Sequence, residues 1–209
     1  IIASAWSAPP WMKDIEDWYQ CASAENNHTG SGGQLKPEYL ASYAKYLIKY
    51  LNAYREQGVE IWGITPVNEP LGNNGQWESL HFSASSQKQF IQQHLGPFLK
   101  QGNNQHVKLL IFDHNRDQLE QWTDEIYSDQ QAAKFVDGAA IHWYESSTGV
   151  SEDVLDKVHK KYPQFSIIHS EGCIDDLGND APEGVLDPRR YKETGWFNND
   201  DFWWNDNAT

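Results

Sequence analysis

Two glutamates stand in short motifs whose neighbours narrow what each can do. Glu69 closes Thr65-Pro66-Val67-Asn68-Glu69-Pro70, and Glu171 sits in Ile167-Ile168-His169-Ser170-Glu171-Gly172-Cys173. Each follows a short apolar run and meets a Pro or Gly, so each reads as the end of a strand turning into a loop. A single Glu in such a place is ordinarily a solvated loop residue. Two at matching strand ends form a pair, with one carboxylic acid to protonate a leaving oxygen and one carboxylate to attack or to steer water. Cleavage of a glycosidic bond needs that arrangement.

The two glutamates lie about a hundred residues apart, so the fold must bring them together. Five runs read as buried parallel strands: Ile1–Ser7, Glu60–Val67, Lys108–Asp113, Gly138–Tyr144 and Ser166–Ser170. Helical patterns alternate with them. In Pro37–Gln57, Leu40, Tyr43, Ala44, Leu47, Leu51 and Tyr54 share one face, with Pro37 suited to the first turn. Ser83–Gln101 repeats the pattern and is expected to bend near Pro97; Arg116–Tyr127 and Ser151–Tyr162 supply two more helices.

Such alternation implies an α/β fold with right-handed crossovers, which a doubly wound sheet and a (β/α)8 TIM barrel both satisfy. No Gly-rich phosphate turn follows a strand, so the nucleotide-binding sheet lacks support. Polar residues instead gather at the C-terminal end of every strand: Trp6-Ser7, Asn68-Glu69, Asp113-His114, His142-Trp143-Tyr144 and Ser170-Glu171. A barrel puts its active site on that face. Five strands cannot close an eight-stranded barrel, so the expectation is an incomplete one. The buried look of Ile1–Trp6 and the aromatic run from Trp196 to Trp204 add to it: residues 1–209 are expected to be an internal piece of a longer catalytic domain.

Composition excludes several classes. Among 209 residues, 16 are Lys or Arg and 30 are Asp or Glu, a net charge of −14, which argues against nucleic acid and anionic membrane as partners. No apolar run approaches the roughly 18 residues of a membrane span. Ten Trp and ten Tyr fit a site that stacks on flat ligand faces. Cys21 and Cys173 make neither a disulfide framework nor a metal spacing, and the first strand carries no His-x-His, so no metal and no cofactor are expected.

Four motifs in register then identify a family. Trp6-Ser7-Ala8-Pro9-Pro10-Trp11-Met12-Lys13, Thr65-Pro66-Val67-Asn68-Glu69-Pro70, Ile141-His142-Trp143-Tyr144 and Ser170-Glu171-Gly172-Cys173 resemble, in order and spacing, glycoside hydrolase family 30 and within it the glucosylceramidase-like branch. The resemblance implies a retaining β-glycosidase on a (β/α)8 barrel with an appended β-sandwich. Against that pattern the chain lacks the first two strands, the last strand and the sandwich.

By the same resemblance Glu69 is the general acid/base and Glu171 the nucleophile. Asn68 would bond the sugar 2-hydroxyl, Trp6 would wall the −1 subsite and Tyr144 would hold the nucleophile's oxygen. The chemistry agrees: Glu69 is expected to start protonated, raised by apolar walls and by the charge of Glu171. Glycosylation of Glu171 removes that charge and frees Glu69 to act as a base.

Other residues carry weaker expectations. His142, two residues before Tyr144, either orients the acid, contacts substrate or is satisfied by backbone. Asp113 and His114 are candidates for the −1 pocket. Trp143 is expected in the outer core, His169 and Cys173 as buried packing. Asn27-His28-Thr29 and Asn207-Ala208-Thr209 fit the N-glycosylation pattern. Ala22–Lys36 is expected as a flexible loop and Asn73–Phe82, with Trp77, as a wall of the aglycone side.

The substrate is expected to be a β-glucoside, a glycolipid or a β-glucan. A β-1,6-glucanase or β-xylosidase is the alternative within the family, and a non-catalytic carbohydrate binder the alternative outside it. Anionic glucuronoxylan is disfavoured because no Arg ends any of these strands. The resemblance also implies an extracellular, periplasmic or lysosome-like location.

Overall fold

A computed structural model describes residues 1–23, 28–145 and 150–172. Its main sheet has five parallel strands in the order β1 (Ile2–Ser4), β4 (Gly63–Thr65), β5 (Lys108–Asn115), β6 (Gly138–His142) and β7 (Ser166–Glu171). A small antiparallel pair, β2 (Ala22–Ser23) and β3 (His28–Thr29), interrupts the segment expected as a flexible loop. Helix α1 (Leu40–Glu56) connects β1 to β4. Between β4 and β5 run α2 (Ala84–Phe90), a π-helical turn (Ile91–Leu95) and α3 (Gly96–Leu99). Then α4 (Leu119–Tyr127) and α5 (Gln130–Ala133) lead to β6, and α6 (Glu152–Lys161) leads to β7. This is a half-barrel, five strands of the (β/α)8 architecture with their helices outside.

Strands β1, β4 and β6 are shorter than the expected runs, while β5 and β7 extend past theirs. Ile61 and Val67 are buried outside the β4 ladder, because apolarity records burial and not pairing. On α1 the expected face buries Tyr43, Ala44, Leu47 and Leu51, while Tyr54 is exposed. Pro97 sits where the second helix changes: it has no N–H to donate, and the turn before it widens to π geometry. Leu109, Ile111, Ala139 and Ile141 of the sheet share one core with Leu95, Leu119, Trp122 and Ile126 of the helices. Among the described residues no helix is long and apolar enough to cross a membrane.

The sheet's other side is polar. Ser4, Thr65, Asp113, His142 and Ser170, one from each consecutive strand, form a hydrogen-bonded layer. Thr65 Oγ1 donates to Asp113 Oδ2 at 2.8 Å and lies 2.9 Å from Ser4 Oγ. Ser170 Oγ donates to Asp113 Oδ1 at 2.6 Å, and His142 Nε2 lies 3.0 Å from the same oxygen. Five strands can share one carboxylate in this way only if the sheet curls around it.

Candidate active site

The layer is centred on a bulge in β5. Its register to β6 shifts between Phe112 and His114, and both Phe112 (φ 74°) and Asp113 (φ 67°) are left-handed, a conformation that costs a bulky residue about 1–3 kcal/mol. The bulge turns the Asp113 carboxylate under His142 and leaves its carbonyl to accept the Glu69 N–H at 2.9 Å. Glu69 is itself left-handed (φ 46°), and its carbonyl accepts the Gly72 N–H at 2.9 Å, closing a tight turn. Gly72 must be glycine: a Cβ there would lie 2.3 Å from Ser31 Cα of the neighbouring loop.

Above the layer stand the two glutamates. One carboxylate oxygen of Glu69, one of Glu171 and a ring nitrogen of His142 lie within 4.8 Å of one another. His142, fully buried, has Nδ1 at 3.3 Å from Glu69 Oε1 and Nε2 at 3.8 Å from Glu171 Oε2. Tyr144 donates its hydroxyl to Glu171 Oε1 at 3.0 Å, and its own N–H donates to Asn115 Oδ1 at 3.0 Å.

The charges follow from these contacts. Burial disfavours charge on His142, but the carboxylates of Asp113 and Glu69 outweigh it and lift its pKa to about 9, so the ring is an imidazolium at neutral pH. Burial would likewise raise Asp113, yet the bond and charge of His142 and the serine hydroxyls hold it below the usual carboxylate range. Glu171 is raised, chiefly by burial, with the His142 charge and the Tyr144 hydroxyl opposing.

A cavity of about 440 Å³ opens over the pair. Trp6, Tyr144, Glu69 and Glu171 line it, with His114 and Asn115 on one side and Asn73, Gln76 and Trp77 on the other. Trp6 and Trp77 meet at 5.7 Å between ring centroids. A larger outer groove, about 750 Å³ beside α1, has Glu56 as its one carboxylate among the described residues.

Of the seven residues expected in the site, four line the cavity and three do not. Asn68 is buried with Oδ1 lacking a partner among the described residues, and Asp113 and His142 are buried too. Asp113, at 1% exposure, stands outside the cavity's lining and bonds His142. His169 is exposed, not buried, and rests on Trp143 at 5.5 Å. Cys173, Asn27 and Asn207 lie outside the described residues.

Sequence reasoning passed over three supports. Arg116 directly follows β5, which runs two residues further than expected; it is buried against Glu145, with its guanidinium bonded to that carboxylate and to the Trp143 carbonyl. Lys13, fully buried, donates to Ser7 Oγ at 3.0 Å and Ser79 O at 2.8 Å, tying the Trp6 loop to the Trp77 loop, and burial pulls its pKa down to about 8. Gln87 of α2 reaches the bulge. The signals were a Lys inside an apolar motif and a Gln on an apolar helix face.

The profile described as "Glycosyl hydrolase family 30 TIM-barrel domain" matches residues 1–189. The chain belongs to glycoside hydrolase family 30. Lysosomal acid glucosylceramidase of Mus musculus is 30% identical over 217 residues, covering 94% of this chain and 40% of the relative. The endo-1,6-β-D-glucanase of Neurospora crassa is 33% identical over 163 residues, covering 78% of this chain and 31% of its own. Among solved structures, SrfJ from Salmonella typhimurium superposes with a TM-score of 0.73 at 27% identity, over 87% of this chain and 37% of that one. The endo-β1,6-glucanase BT3312 gives 0.70 at 31% identity, over 83% and 37%. The chain thus spans about two fifths of the length of the curated glucosylceramidases it matches.

Proposed function

We propose that residues 1–209 are part of the catalytic barrel of a retaining β-glycosidase that cleaves β-glucosidic bonds by double displacement, as in glucosylceramidase-like enzymes. The observation that carries this reading is the spacing of the two carboxyl groups, with oxygens within 4.8 Å of one another. Retaining glycosidases hold their carboxyls about 5–5.5 Å apart, whereas inverting ones leave about 6.5–9.5 Å for a water.

Glu171 attacks the anomeric carbon. The Tyr144 hydroxyl favours its charged form, as a nucleophile requires. As the glycosidic C–O bond breaks, the leaving oxygen takes the proton of Glu69, and the sugar is held as an ester of Glu171. Water then gives its proton to Glu69 and its oxygen to the anomeric carbon, releasing the sugar and restoring the Glu171 carboxylate. Trp6 packs against the sugar face, and Asn68, whose buried Oδ1 lacks a partner, accepts from the 2-hydroxyl. Asp113 and His142 hold Glu69 in position from below.

The test is kinetic. In the full-length protein Glu171→Gln should abolish turnover of every β-glucoside. Glu69→Gln should keep aryl glucosides with good leaving groups while losing poor ones, by roughly 100-fold or more. A Glu171→Gln enzyme turning over at the wild-type rate would refute the nucleophile assignment, whereas a full-length wild-type protein with no turnover of any aryl β-glucoside would favour the carbohydrate-binder alternative.

A second reading concerns the aglycone. The cavity is lined by Asn73, Gln76, His114 and Asn115 beside its aromatics, with no aliphatic side chain among the described residues. Such a lining favours a hydroxylated leaving group, as in a β-1,6-linked glucan, over an alkyl chain. Rates on a β-1,6-glucan against glucosylceramide decide between them. The relatives' lysosomal and bacterial settings support an extracellular, periplasmic or lysosome-like location for the whole protein, whose appended β-sandwich would lie outside this chain.

A further inference from the structure

We propose that Gln87, on the outer helix α2, is a positioning residue for Glu69: its side-chain oxygen props the β5 bulge whose carbonyl and carboxylate together fix that glutamate. Gln87 is fully buried, and its Oε1 accepts the N–H of Phe112 at 3.0 Å. Its Nε2 has no partner among the described residues, so a buried amide is kept on an apolar helix face for one hydrogen bond.

That bond lands on the most strained point of the sheet. Phe112 and Asp113 are consecutive left-handed residues, a pairing that persists only where the surroundings over-determine it. Two supports are visible: the Gln87 oxygen, and the Phe112 ring held against Trp122 at 5.1 Å. Without the acceptor, a buried N–H is left unpaired in the bulged form, a penalty of about 1–3 kcal/mol that an unbulged strand need not bear. Straightening the strand would withdraw the Asp113 carbonyl from the Glu69 N–H and the Asp113 carboxylate from His142, which contacts the Glu69 side chain. Both of the links that aim Glu69 thus pass through the bulge.

The inference rests on the acid/base reading of Glu69, and the test separates the two. In the full-length protein, Gln87→Met keeps the length of the side chain and removes the acceptor. Turnover of a β-glucoside with a poor leaving group should fall roughly 10- to 100-fold. The kcat/KM for its dinitrophenyl counterpart, which reports glycosylation alone and needs no proton from Glu69, should stay within about threefold. Gln87→Glu, which keeps an acceptor oxygen at the same reach, should restore the wild-type ratio between the two substrates. Where Gln87→Met does not accumulate as folded protein, the shorter Gln87→Asn carries the same expectation.

An equal fall on both substrates, or no fall on either, overturns the inference, since a merely structural role moves both alike. Glu69→Gln is run beside it. A steep substrate ratio there with a flat one for Gln87→Met rejects the role of Gln87 alone, and a flat ratio in both rejects the acid assignment itself.

Discussion

At the residue scale the site is organised by His142, which touches Asp113 and Glu69 and lies near Glu171. Its folded pKa of about 9 against an ordinary 6.5 makes its protonation part of the folding free energy. A group whose folded pKa is raised contributes fully below the unfolded value and loses that contribution as pH climbs through the folded one. The window is therefore about pH 6.5 to 9, and the amount on the order of 3 kcal/mol for this fully buried ring. Urea midpoints of the full-length protein should fall over that window, and those of His142→Gln should fall less; parallel curves for the two proteins would contradict this. That Glu69, Glu171, Trp6 and Tyr144 meet at one cavity was legible because polar and aromatic residues at strand ends leave a motif. That Asp113 lies beneath the mouth was not, because one extra residue in a strand flips a side chain without altering the apolar pattern.

At the element scale the helices were the more legible part, since a period of three to four residues survives small errors at either end. Ser83–Gln101 was read as one bent helix, and the π turn inside it left no trace beyond Pro97. The strands were located, but β1, β4 and β6 were overrun, because buried residues such as Val67 continue past the ladder. Gly138, the first residue of β6, shows what the pattern omits. A Cβ there would meet Ser166 O at 2.4 Å, so β6 and β7 can approach only over a glycine. Gly138→Ala should lower stability by about 1–3 kcal/mol through that clash, read as a lower melting temperature. Since β7 carries Glu171, activity should fall with it, whereas Gly58→Ala, where a Cβ meets nothing within 4 Å, should leave activity untouched. Because Gly58 is left-handed, some loss of stability is expected there as well, and activity is the measurement that distinguishes the two.

At the scale of the whole molecule the decisive quantity is curvature. Glu69 follows β4 and Glu171 ends β7, three strands away in the sheet. Strands about 4.8 Å apart in a flat sheet would separate those positions by roughly 14 Å. One carboxyl oxygen of each lies instead within 4.8 Å of the other, a gap closed by the reach of the two side chains together with the curl of the half-barrel around the Asp113 layer. No periodicity in the chain encodes that curl; it follows from strand tilt and from polar side chains drawn to one carboxylate. On the proposed double displacement it also carries a stereochemical consequence, because so narrow a gap leaves no room for a water between the second carboxylate and the sugar. The full-length protein should therefore release its first-formed sugar as the β-anomer from a β-glucoside, with the α-anomer growing in only by mutarotation. Proton NMR of the anomeric signals in the first minutes of reaction reads this directly. Initial release of the α-anomer would mean that the carboxyls part by several ångströms when substrate binds, and the double displacement would fall with the spacing that supports it.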